Sequence, residues 1–226
     1  MQTTFRNVKQ RKTGLINYGL LLLAIGIFTI SCNRSPEKLP KFKTAFKSQI
    51  ASFESQKEKT DKKVEEGVVG ISTLQAALDS AKNVDKEFNK VYAKWKRIDK
   101  QVDDLNKEYE ELKGDAENLF SAMERQTESL TNTDTRNELT NALRKTKNEY
   151  YATLAETQGA IDNLHALHTD AIDIVKALEV AVALGQVAQI NEGLRSIEDR
   201  VASIMDQLNE SISESKDLYD KKIGGV

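Results

Sequence analysis

Few side chains in this 226-residue sequence are of types that do chemistry, and their spacing limits what they can do. His165 and His168 are the only histidines. Three residues apart on a helix, with Asp162 and Asp170 close by, they could hang a metal on one face. A di-metal site inside a helical bundle draws carboxylates from several helices and pairs of Glu-x-x-His segments. No Glu-x-x-His occurs here. The expectation is one histidine on an apolar seam, the other on a wet face, and no metal or other cofactor. Carboxylates crowd at Asp103-Asp104 and from Glu108 to Glu111. Acid–base catalysis needs a pair held across a desolvated cleft with separated pKa values, and charge-dense helix flanks are solvated faces instead. No Gly-x-Ser-x-Gly elbow is present, and six glycines scattered singly through 41–223 build no phosphate-binding loop. Cys32 is the single thiol, which rules out an intrachain disulfide and a cysteine zinc cluster. These readings point away from an enzyme.

The surroundings of that thiol are informative. Residues 1–14 carry Arg6, Lys9, Arg11 and Lys12 and no acid, and the 16 residues from Leu15 to Ile30 are almost wholly apolar. A basic start, an apolar run and then small residues form the layout of a secretory signal. The run is shorter than the ~20 residues a comfortable spanning helix needs. Its end, Thr29-Ile30-Ser31-Cys32, resembles a bacterial lipobox, in which the cysteine is acylated and becomes the mature N-terminus. Acylation would also remove an unpaired thiol from an exported protein. Asn33 is not the Asp that retains such lipoproteins at the inner membrane, so the resemblance implies the outer membrane, facing the periplasm. Residues 1–31 take four basic residues and no acid from a chain of 33 basic and 35 acidic residues, leaving a mature net charge of −6. That sign, with the compartment, disfavours nucleic acid as a partner.

The elements that must carry any site are helical. Both prolines, Pro36 and Pro40, lie in 32–40, which reads as a tether that they bar from helix. From 41 to 223 the apolar pattern is a 3-4 repeat. Its cleanest stretch is Val84, Phe88, Val91, Trp95, Ile98, Val102, Leu105, Tyr109, Leu112, Ala116, Leu119 and Met123, a heptad seam that demands partners along its length. An earlier stretch, Phe46 to Ala81, is interrupted by Lys57, Thr60 and Gly67. Gly67 and Gly70 each cost about 1 kcal/mol against Ala in a helix, so they mark a bend or a close neighbour. A third seam runs from Leu139 through Tyr150, Leu154 and Ile161 to Val182, and a fourth from Val187 to Ile212. Ile172 to Leu184 is apolar on more than one face and is expected to be the most buried stretch. Asn83, the 131–135 turn cluster and Gly185 separate the segments. Asn83 is a candidate cap, Thr135 with Glu138 fits a capping box with Asp134 as the rival cap, and Gly185 suits a left-handed C-terminus. The expected fold is all-α: an elongated up-down antiparallel bundle or coiled coil of three to four long helices over about 41–82, 84–131, 135–184 and 187–222. Connections this short make consecutive helices antiparallel neighbours.

Several stretches within Asp85–Asp220 carry a family resemblance: Ala116-Glu117-Asn118-Leu119-Phe120, Leu143-Arg144-Lys145-Thr146 with Tyr150 and Leu154 after it, and the closing Ile197-Glu198, Ile204-Met205 and Ser211-Ile212 pairs. Together they resemble an uncharacterised family of bacterial lipoproteins, domain of unknown function 2959. The resemblance implies the architecture and the address but no activity. Beside the expected anchor, Lys38, Lys41, Lys43 and Lys47 precede the first acid of the first helix, Glu54, with Phe42 and Phe46 among them. Basic residues interleaved with apolar ones suit an anionic lipid surface; equally, Phe46 simply opens the seam and the lysines are solvated. The expected role is a membrane-anchored, non-catalytic scaffold that binds a protein partner or itself through coiled-coil faces. The alternative is a periplasmic lipid or small-molecule binding module, with a cavity near Ile172–Leu184.

Overall fold

The computed structural model describes residues 38–80, 82–185 and 187–224. They form four long helices: α1 (Lys38–Ser80), α2 (Val84–Glu128), α3 (Thr133–Leu184) and α4 (Val187–Leu218), the last running on into one wider π-helical turn at Tyr219–Ile223. At 1.5 Å per residue, the 43 residues of α1 reach about 65 Å and the 52 of α3 about 78 Å. No strand occurs among the described residues, and none of their helices is long and apolar enough to cross a membrane.

Each helix packs on its sequence neighbours, and α4 closes against α1. The order around the bundle is therefore α1, α2, α3, α4, with α1 and α3 on one diagonal and α2 and α4 on the other. The seam of α2 is buried from Val91 to Leu119, and only its ends, Val84, Phe88 and Met123, are half-exposed. Fully burying side chains of this size stabilises by roughly 1.5–3 kcal/mol each, which far outweighs helix propensity.

The helix limits follow local chemistry. α1 starts at Lys38, so Pro40 sits inside its first turn rather than in a non-helical tether. Proline is tolerated there because a first-turn N–H has no helical partner to lose. Asn83 precedes α2 with a left-handed φ of 57°, which Asn accepts more readily than most residues, but its side chain makes no capping bond. α3 is capped by Asn132, whose side chain accepts from the Thr135 N–H at 2.9 Å; neither Thr135 nor Asp134 is the cap. Gly185 ends α3 at φ 70°, as its position requires.

The expectation that Ile172–Leu184 is the most buried stretch is overturned. Val180 is 61% exposed, Val182 39% and Leu184 66%, while Ala181 takes the seam position. The other end of the bundle thins. Tyr219 bonds the Lys43 carbonyl and Lys222 reaches Glu149, so α1 begins and α4 ends close to those levels. The first turns of α3 project past both, and of residues 131–142 all but the half-buried Arg136 are exposed.

Candidate functional site

Cys32, the expected lipidation site, lies outside the described residues. The cluster of Lys38, Lys41, Phe42, Lys43, Phe46 and Lys47 falls on the first turns of α1, and the five from Lys41 to Lys47 do not form one patch. Phe46 is fully buried, edge-on to Tyr150 at 5.1 Å between centroids and tilted against Tyr219 at 5.7 Å. Phe120 and Tyr151 extend the same aromatic group. Phe46 therefore closes the core and has no surface to offer a lipid, and Phe42 is half-buried against the same core. Lys43 and Lys47 are one turn apart on one face, while Lys41 points well away at 100° per residue. Lys47 stands 6.0 Å from the Tyr219 ring centre, and the Lys43 carbonyl accepts from the Tyr219 hydroxyl at 3.2 Å. The π-helical turn supplies that tyrosine, so the end of the chain is tied to the start of α1.

The polar breaks in the α1 seam point inward. Lys57, only 4% exposed, donates to Asn209 Oδ1 at 2.5 Å and reaches Asp61 at 3.3 Å. Thr60 is fully buried and donates to the carbonyls of Gln56 and Gln101 at 3.0 and 3.2 Å. Thr153, Thr157, Ser211 and Ser215 are buried too. The sequence reading passed over them, although the gap between Leu154 and Ile161 in the third seam falls at Thr157. Burial holds the Tyr150 hydroxyl well above its usual pKa, with Ser215 beside it pulling the other way. Tyr109 donates to the Leu154 carbonyl at 3.0 Å; burial chiefly, then Glu110 and Asp162, pushes its pKa up to about 12. Gly67 sits where a Cβ would lie 2.8 Å from Ile98 Cδ1 and 3.1 Å from the Trp95 indole, so the glycine is what admits α2.

The histidines join α3 to α2. His168 Nε2 is 2.9 Å from the Trp95 carbonyl and its Nδ1 3.5 Å from Asp99, while His165 is 3.8 Å from Asp103. The other two acids turn elsewhere: Asp162 accepts from Gln158, and Asp170 pairs with Arg200 at 2.7 Å. Among the described residues no three metal-ligating side chains come together. The carboxylate runs are also occupied, Asp104 by Lys100, Glu108 by Gln49 and Ser52, Glu110 by Lys113 and Glu111 by Lys107. Two concavities among the described residues bear on a ligand site. One of about 370 Å³ lies open between α3 and α4, lined by residues including Asp170, Ile174, Gly193 and Arg200, at the near end of the stretch where a ligand cavity was expected. The other, about 580 Å³, is lined by Lys63 of α1 and by Ala93, Lys96, Arg97, Lys100 and Gln101 of α2. It collects four cations on a chain of net negative charge.

The family model described as Protein of unknown function (DUF2959) matches residues 38–221. The chain belongs to that family. The match takes in α1 as well as the helices from Asp85 onward that carry the resemblance in sequence, so all four helices are part of the DUF2959 domain. No curated protein and no solved structure matches the chain.

Proposed function

We propose that this DUF2959 protein is a bacterial envelope lipoprotein, held on the outer membrane through an acylated Cys32 and presenting its bundle to the periplasm as a non-catalytic scaffold. The observation that carries the reading is Thr29-Ile30-Ser31-Cys32 closing a basic-then-apolar leader. Each buried acyl CH₂ adds about 0.8 kcal/mol, so two or three chains hold a protein almost permanently. The packing is consistent with the role: Lys57, Thr60 and Tyr109 spend hydrogen bonds on neighbouring helices, and both concavities described above are open. With Phe46 withdrawn into the core and Phe42 half-buried, the lysines that begin α1 would meet lipid headgroups chiefly through charge. Metabolic labelling with a fatty-acid analogue is the test. The wild-type chain takes the label and fractionates with outer membranes. Cys32→Ala takes none and keeps its leader. A labelled Cys32→Ala chain would refute the reading.

A further inference from the structure

We propose that copies of this chain associate side by side, the basic groove between α1 and α2 of one copy receiving an acidic ridge on α4 of the next. This names a partner for the scaffold proposed above, but the contact itself does not require the anchor.

The groove is built by a partition of α2. Its acids Asp99 and Asp103 turn to the histidines of α3, while its cations line the α1 side. Lys63, Lys90 and Lys100 have partners on their own helices, Glu66, Glu87 and Asp104. Lys96 and Arg97 are exposed and make no ion pair or side-chain hydrogen bond among the described residues. Ala93 between them and Lys90 leaves room for another helix to approach.

The ridge lies across the bundle, because α2 and α4 occupy one diagonal. Asp199, Asp206 and Glu210 are exposed and free of ion pairs among the described residues, and the small Ala202 and Ser203 lie between the first two. One exposed cation, Arg195, stands a turn before Asp199. The spacings match. Lys90, Arg97 and Lys100 repeat at seven and three residues, Asp199, Asp206 and Glu210 at seven and four. With Lys90 set against Asp199, Ala93 meets Ala202 and Arg97 meets Asp206.

Height agrees as well. Thr60 bonds the Gln101 carbonyl and Gly70 faces Val91, so the basic stretch spans the level of α1 residues 60–70. Lys57 bonds Asn209 and Ser72 bonds Glu198, so the acidic stretch spans 57–72. A sideways shift with almost no axial stagger therefore brings the two into register. In an up-down bundle α2 and α4 run the same way, so the copies keep one polarity. Every copy then presents the start of α1 at the same edge of the row, as chains fastened to one bilayer require. The contact is heterologous and does not close, so it builds rows. Exposed ion pairs are individually weak, which makes the association salt-sensitive and dependent on crowding at a surface.

The test uses the full-length chain in detergent, in a Cys32→Ala background, so that its outcome is independent of acylation. Ala93→Cys chains are mixed with Ala202→Cys chains and treated with a short bis-maleimide. The 93–202 cross-link is expected to exceed either homotypic cross-link about tenfold, to fade as added salt shortens the Debye length to a few ångströms, and to fall about tenfold with Lys96→Glu plus Arg97→Glu or with Asp206→Lys plus Glu210→Lys. Mixing an Ala93→Cys chain bearing the first reversal with an Ala202→Cys chain bearing the second restores it, which excludes misfolding as the cause of the loss. Equal homotypic and heterotypic yields, or yields indifferent to reversal, overturn the proposal. So does a result in which reversal at Lys96 and Arg97 abolishes only binding to vesicles of anionic lipid, since the groove would then be a lipid site.

Discussion

Gly67→Ala should destabilise this protein although alanine is the better helix former. On propensity alone the change is worth about 1 kcal/mol in favour of the folded state. At Gly67, however, the new methyl carbon would stand 2.8 Å from Ile98 Cδ1 and 3.1–3.3 Å from two atoms of the Trp95 ring. Ile98 and Trp95 are both fully buried, so neither can swing into solvent. Overpacking of this kind costs about 1–3 kcal/mol, which leaves a net loss of roughly 0–2 kcal/mol. Gly159 is the matched control. It is also helical, but nothing lies within 4 Å of an added Cβ, so Gly159→Ala should stabilise by about 0.4–1 kcal/mol. For a domain of this size each kcal/mol moves Tm by ~2–4 °C, so a gap of about 0.4–3 kcal/mol should set the two variants roughly 1–12 °C apart, with Gly159→Ala above the wild type and Gly67→Ala below it. Thermal unfolding followed by circular dichroism at 222 nm, a helix signal, measures this. A Gly67→Ala chain melting at or above Gly159→Ala would refute the reasoning that close approach of α2 dictates the glycine.

Asn209→Ala removes the main partner of the buried Lys57 ammonium and should cost about 1–3 kcal/mol in urea unfolding, whereas Lys57→Met with Asn209→Leu should cost less than the sum of the single changes. Phe46→Ala empties the aromatic group at the start of α1 and should cost about 3–5 kcal/mol, with the loss of near-ultraviolet tyrosine dichroism as its signature. Tyr109 gives a pH dependence. Its folded-state pKa is raised to about 12 from an ordinary value of 10.0, so the stability it contributes is whole below pH 10 and is lost as pH rises toward 12. Tyr109→Phe should flatten that alkaline decline in part, the rest coming from Tyr150, Tyr151 and Tyr219, whose hydroxyls burial also holds high.

The helices were legible because a seam of period 3.5 needs no knowledge of its partner. Val91 to Leu119 reads directly as the buried face of α2, and Gly67 reads as a bend or a close approach, of which the structure shows the second. What was not legible depended on depth or on neighbours. Val180, Val182 and Leu184 look like core in composition, yet they stand off the inward face that Leu178 and Ala181 take in the same turns of α3. Asn132 competes for the cap with Asp134 and Thr135 in a cluster where any of several side chains would serve, and only the chain's path selects it. Phe46 reads alike as lipid-facing or core-facing until Tyr150 and Tyr219, which are 104 and 173 residues away, are placed beside it. That Asp99 and Asp103 sit toward α3 while Lys96, Arg97 and Lys100 line the α1 side appears only when α3 and α1 are set on either side.

The inward-facing polar residues answer a difficulty that long heptad helices create for themselves. An apolar seam repeated every seven residues can slide by one heptad, about 10 Å, and still bury apolar side chains. Leucines and isoleucines penalise that slip weakly, because one resembles the next. Lys57 with Asn209, Thr60 with the Gln101 carbonyl, Tyr109 with the Leu154 carbonyl, His168 with the Trp95 carbonyl and Tyr219 with the Lys43 carbonyl each tie one helix to a particular position on another. They span three of the four lateral contacts, and a slipped register would leave their buried donors unmatched at about 1–3 kcal/mol each. A single polar residue at a core position sets register in coiled coils at a cost in stability. Here the cost recurs along the bundle, and in return every surface residue is held at a defined height. Without that, a basic flank and an acidic flank could not meet level from one copy to the next.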